Sequence, residues 1–114
     1  MSKRLQRVNA LIKEELGQII LREIEFPKDT LVTITRAETK PNLSESAVFI
    51  SALPEENEKK VLDILERSIY FLQQKINNRL RMRPIPKIRF LGEKKTGEAG
   101  RIEKILEQLK KEKK

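Results

Sequence analysis

The sequence predicts an α+β domain in which one face of a three-stranded sheet packs against helices. Three observations carry this expectation. The chain has 114 residues, enough for one hydrophobic core and too few for two. Apolar residues recur at helical spacing in two long stretches and alternate with polar ones in three shorter stretches. Their order is helix, strand, strand, long helix, strand, which places the strands in one layer and the two main helices in another. Residues 1–95 are expected to form this domain, and 96–114 a partly ordered C-terminal helix with a basic tail.

From residue 3 to 24, Leu5, Val8, Leu11, Ile12, Leu16, Ile19 and Ile20 mark one face of an amphipathic helix, with Ser2 as its candidate cap and Pro27 beyond its end. "TLVTITRAET" (30–39) is rich in β-branched residues and "ESAVFISAL" (45–53) alternates. With Pro41-Asn42-Leu43-Ser44 between them, they read as an antiparallel hairpin. A long helix is expected from about Glu55 to Arg81, because Val61, Leu65, Ile69, Leu72, Ile76 and Leu80 form one stripe. Phe71 flanks that stripe as core or core edge. Pro84 must end the helix near Arg83, since it lacks the N–H of the helix ladder and disfavours helical geometry in the residue before it. In the third strand Ile88 and Phe90 are expected to be buried, with Lys87 and Arg89 exposed. Gly92 to Gly100 reads as a turn, and Ile102, Ile105, Leu106 and Leu109 as one face of a last helix.

Composition excludes most chemistry. The chain has neither Cys nor His, which removes disulfides, thiolate nucleophiles, imidazole acid–base catalysis and zinc sites with nitrogen or sulfur ligands. No phosphate-binding glycine loop or nucleophile elbow is present. The sequence therefore predicts neither an enzyme nor a cofactor. It contains no apolar run long enough to span a membrane and no signal-peptide pattern, so a soluble, cytoplasmic protein is expected; a monomer is the expected state.

Charge is the most informative feature. The net charge is +8, and residues 67–95 carry nine cations against one acid, Glu93, so this segment holds the whole excess. A concentrated positive field on an otherwise balanced chain is the footprint of a polyanion binder. The arginine-rich run "NNRLRMRPIPKIRF" (77–90) spans the change from helix to strand. There Lys75, Arg79, Arg81, Arg83, Lys87 and Arg89 are expected to converge, and arginine suits bidentate phosphate contacts. Arg67, Tyr70, Gln74, Asn77 and Arg81 recur on the solvent face of the long helix, where the Tyr70 ring is placed either to stack on an unpaired base or to lie along the surface. Arg4 and Arg7 oppose the positive end of the first helix dipole, a cost that suits a binding role, although Lys3 and Arg4 equally suit a solubilising terminus. Gly97-Glu98-Ala99-Gly100 spells G-x-x-G, but it follows the last strand and contains an acid, so a turn is expected rather than a phosphate clamp.

Taken together, "RVNALIKEELGQII" (7–20), "VTITRAETKPNLSESAVFIS" (32–51) and "INNRLRMRPIPKIRF" (76–90) resemble the ribosome-binding factor A family over nearly the whole chain to Leu109. The resemblance implies a K-homology type II-like fold, α-β-β-α(bent)-β. It places the family's helix bend, an Ala-x-Gly, on Ser68-Ile69-Tyr70, where this chain has tyrosine in place of glycine; Asn77-Asn78 is a second candidate. It further implies a non-enzymatic assembly factor that binds immature 16S ribosomal RNA and pre-30S particles. Such a factor would assist folding and end maturation of that RNA, support growth in the cold, and act in one pathway with assembly GTPases. The alternative is a basic interaction module for an acidic protein or anionic surface; a membrane fits poorly, because the basic face has no apolar companion.

Overall fold

The computed structural model describes residues 3–93. The first helix, α1 (Lys3–Glu23), buries Val8, Ile12, Leu16, Ile19 and Ile20, the face marked by the apolar spacing. The strands β1 (Leu31–Thr39) and β2 (Glu45–Leu53) pair antiparallel. In the turn between them Leu43 takes a positive φ of 59° yet stays buried. Asn42 Oδ1 supports that turn by accepting from the Ser44 N–H at 3.0 Å and the Ser44 hydroxyl at 2.7 Å.

One 3-10 turn, Glu55–Asn57, leads into α2 (Glu58–Arg67), and α3 (Ile69–Arg79) follows after Ser68. The chain then closes as β3 (Lys87–Gly92), which pairs parallel with β2 and completes the sheet in the order β1-β2-β3. This is the α+β architecture expected. The second helical stretch ends earlier than the proline argument required, because Leu80 is already extended, with φ −88° and ψ 141°. That geometry turns its side chain into the core, where it is buried.

The core lies between the helices and one face of the sheet. Val61, Leu65, Leu72, Ile76 and Leu80 of the helical stripe are buried against Val48, Ile50, Ile88 and Phe90, while Ile69 is partly buried at the margin. Each such side chain contributes about 1.5–3 kcal/mol relative to exposure. Ile88 and Phe90 are buried while Lys87 and Arg89 are exposed, as the alternation required.

In β1 strict alternation from Ile34 would turn Arg36 inward. A β-bulge prevents this: Ile34 pairs with Ile50 and Arg36 with Phe49, leaving Thr35 as the extra residue. Arg36 therefore joins the outer face and Ala37 the core. The candidate cap Ser2, the Gly97–Gly100 turn, and the last helix with its basic tail lie outside the described residues.

Candidate nucleic-acid interface

Between Glu66 and Glu93 the chain contains no acidic residue, and most of this stretch is α3 and the connection to β3. The helical geometry is interrupted at Ser68, which has φ −99° and ψ 8° although its own backbone groups stay bonded to the flanking turns. Its N–H donates to the carbonyls of Ile64 and Leu65, both at 3.1 Å, and its carbonyl accepts from the Leu72 N–H at 2.9 Å. Beyond it α3 buries Leu72 and Ile76 and exposes Tyr70, Phe71, Gln74, Lys75, Asn77 and Asn78. Tyr70 is 84% exposed. Phe71, expected at the core edge, is 42% exposed, and the Lys75 ammonium sits 5.4 Å from its ring centre.

Two of the expected site cations bind α1. Arg79 Nη1 donates to Glu15 Oε1 at 2.7 Å and to Gln18 Oε1 at 3.0 Å, and Lys75 Nζ lies 3.9 Å from Glu23 Oε2. Partners advance along α1 as they recede along α3, so the two helices run antiparallel. Consequently the first turns of α1, with Arg4 and Arg7 exposed, lie at the end of the molecule where α3 stops. Arg81 and Arg83 follow that helix end and are exposed as well. Arg83 Nη1 donates to the Met82 carbonyl at 2.6 Å and faces that of Leu80 at 3.4 Å, two acceptors of the connection that follows the helix. Arg4, Arg7 and Arg81 have no ion-pair partner among the described residues.

Lys87 and Arg89 point elsewhere. Since Ile88 and Phe90 fill the helix-facing side of β3, these two cations stand on the outer face of the sheet, beside Glu45 and Ala47. Arg89 Nη1 is 3.7 Å and Lys40 Nζ 3.3 Å from Glu45 Oε1. Arg36, next to the bulge, lies 3.8 Å above the Phe49 ring, paired with Glu38 and with Glu93 at 3.3 Å. Glu93 Oε1 also accepts from the Thr35 hydroxyl at 2.6 Å. Acids and cations are interleaved on this face. The convergence expected of six cations is thus replaced by three groups: Lys75 and Arg79 toward α1, Arg81 and Arg83 at the helix end, Lys87 and Arg89 on the sheet. Strand pleating and helix pairing impose the division. Arg67 at the end of α2 and Gln74 on α3 are exposed without partners among the described residues.

Sequence reasoning missed Gln73. Its Oε1 accepts from the Ile88 N–H at 2.9 Å, and its Nε2 donates to the Pro86 carbonyl at 3.1 Å and to Asn77 Oδ1 at 3.2 Å. One carboxamide thereby acts as a short strand partner on the free edge of β3, fixing helix to strand across the arginine-rich connection. The signal was available: an edge strand beginning after two prolines has few backbone donors, and those it has need partners. Gln73→Leu leaves a donor and an acceptor unpaired and should cost about 1–3 kcal/mol. Urea unfolding together with hydrogen exchange at the Ile88 amide tests this; unchanged protection of that amide would show the clamp to be incidental.

A groove of about 690 Å³ opens between α1 and the edge strand β1, but Leu21, Ile24, Phe26 and Leu31 make its lining apolar and a poor host for a polyanion. Among the described residues no helix is long and apolar enough to cross a membrane, and no group of acidic side chains gathers as a metal site.

Comparison with known proteins matches residues 4–106 to the family model for ribosome-binding factor A. The ribosome-binding factor A of Thermodesulfovibrio yellowstonii is 37% identical over 109 residues, covering 96% of this chain and 92% of that one. The crystal structure of ribosome-binding factor A from Thermus thermophilus superposes with a TM-score of 0.68 at 25% identity, over 77% of this chain and 94% of that one. A homology model of Thermus thermophilus ribosome-binding factor A, fitted into the cryo-EM map of its 30S complex, gives a TM-score of 0.62 at 28% identity, over 73% and 88% of the two chains. With the match running from the first turn of α1 past the end of β3, the chain belongs to the ribosome-binding factor A family.

Proposed function

We propose that this protein binds the small ribosomal subunit during its assembly and acts on immature 16S ribosomal RNA, assisting its folding and end maturation without catalysing a reaction itself. The observation that carries the reading is the exposed face of α3, which has no acid of its own, together with the arginines at its end, Arg81 and Arg83, and Arg4 and Arg7 from the first turns of α1. The carboxylates of α1 that border this face, Glu15 and Glu23, are each already paired with a cation of α3, Arg79 and Lys75. The likeness to a Thermus thermophilus factor fitted into a 30S complex supports the choice of ribosomal RNA as that polyanion. The outer face of the sheet, where Glu38, Glu45 and Glu93 offset the cations, suits phosphate less well.

Sedimentation of the tagged protein with precursor and mature small subunits, before and after nuclease treatment, tests the proposal. Co-sedimentation with precursors that nuclease abolishes is the expected result. Retention at the top of the gradient in every sample would reject it, and binding that survives complete nuclease digestion would point to an acidic protein instead.

A further inference from the structure

We infer that the exposed face of α3 reads an unpaired stretch of RNA, with the Tyr70 ring stacking on a base and the amides beyond it contacting base edges. This rests on the proposal that the bound polyanion is RNA and narrows it to single strands.

The face is ordered in layers along the helix. Tyr70 and Phe71 occupy the first turn, Gln74 and Lys75 the second, Asn77 and Asn78 the third, all exposed. Residues four apart lie one above another, about 6 Å along the axis, so a strand following the helix meets an aromatic layer, then amide and ammonium, then two amides. Neighbouring side chains fix what each layer offers. Phe71 is engaged by Lys75 at 5.4 Å, whereas Tyr70, at 84% exposure, has no partner among the described residues and leaves a ring face open. Asn77 Oδ1 is taken by Gln73 Nε2 at 3.2 Å, which leaves its amide nitrogen as the unpartnered group, a donor. Gln74 keeps both donor and acceptor, the pair that matches an adenine edge.

A duplex fits this surface badly. A-form RNA hides its bases in a deep, narrow major groove, so neither a ring nor a carboxamide on a helix face reaches them, while unstacked bases in loops and ends are accessible to both. Lys75 lies 3.9 Å from Glu23, a long and partly exposed ion pair, so it can exchange that acid for a phosphate as the strand arrives. Arg81 and Arg83 continue the path beyond the helix end.

The chain supplies its own probe. Tyr70 is the only tyrosine and there is no tryptophan, so tyrosine emission reports on this ring alone. A short oligoadenylate should bind at least about tenfold more tightly than a fully paired hairpin of similar charge, and should quench that emission at saturation. Tyr70→Phe should retain the affinity, since the ring remains. Tyr70→Ala should weaken binding by about 5- to 150-fold with an unchanged urea midpoint, because the side chain is exposed. Arg81→Ala should weaken binding yet preserve full quenching at saturation. Equal affinity for strand and hairpin, or a Tyr70→Ala variant that binds as the parent does, would overturn the inference while leaving RNA binding intact. Failure of the parent to bind either RNA would overturn both.

Discussion

Replacing Phe90 by alanine is expected to lower the free energy of unfolding by about 3–5 kcal/mol. The ring is 5% exposed, pairs in register with Val48, and faces the helices from the middle of β3. Its removal takes away the largest apolar side chain that the third strand contributes to the core. Domains of this size are stabilised by about 5–15 kcal/mol, so a substantial fraction of the variant should be unfolded at moderate temperature. Phe90→Leu, which keeps most of the volume, should cost less. Arg89→Ala, one residue away on the opposite face, should stay within about 0.5 kcal/mol of the parent. Urea midpoints of the three variants measure the contrast. Similar midpoints for Phe90→Ala and Arg89→Ala would mean that β3 is not a core strand.

That contrast is legible in the amino-acid sequence itself, because alternation in "KIRF" separates the two faces of a strand without reference to the rest of the chain. The helical stripe from Val61 to Leu80 is legible for the same reason: a 3.6-residue period is a local signal. What escapes depends on neighbours distant in sequence. The Thr35 bulge is required by the register of β1 on β2, and nothing in "TITRAE" alone says that Arg36 must leave the core side. Gln73 holds the backbone around Pro86 and Ile88, 13 and 15 residues away, so its role exists only once helix and strand are packed. The arginines are recognisable as a charge excess, but their directions are not. Arg79 and Arg83 stand four residues apart, yet one binds an α1 carboxylate and the other two carbonyls of the connection to β3.

Those directions give the arginines unequal expected effects. If Arg4, Arg7, Arg81 and Arg83 meet single-stranded RNA, about four phosphates are neutralised, and affinity should fall about fiftyfold for a fourfold rise in salt at a slope of about −0.7 per phosphate. Arg81→Ala should flatten that slope by about one contact and leave stability equal or slightly higher, since it has no carboxylate partner among the described residues. Arg83→Ala should flatten it similarly but release two carbonyls of the connection to β3, with a small loss of stability. Arg79→Ala should behave in the opposite way: it leaves Glu15 unpaired and lowers stability by about 1 kcal/mol, with less change in slope because its charge is already committed. Arg89→Ala, on the mixed face of the sheet beside Glu45, should alter neither by much. RNA titrations at several salt concentrations, run beside urea midpoints for these four variants, resolve the two quantities. Binding losses that merely track lost stability would sink the phosphate assignment. A slope flattened as much by Arg89→Ala as by Arg81→Ala would instead extend the RNA path across the outer face of the sheet, because a mixed-charge surface contributes to counterion release only where phosphate displaces its acids.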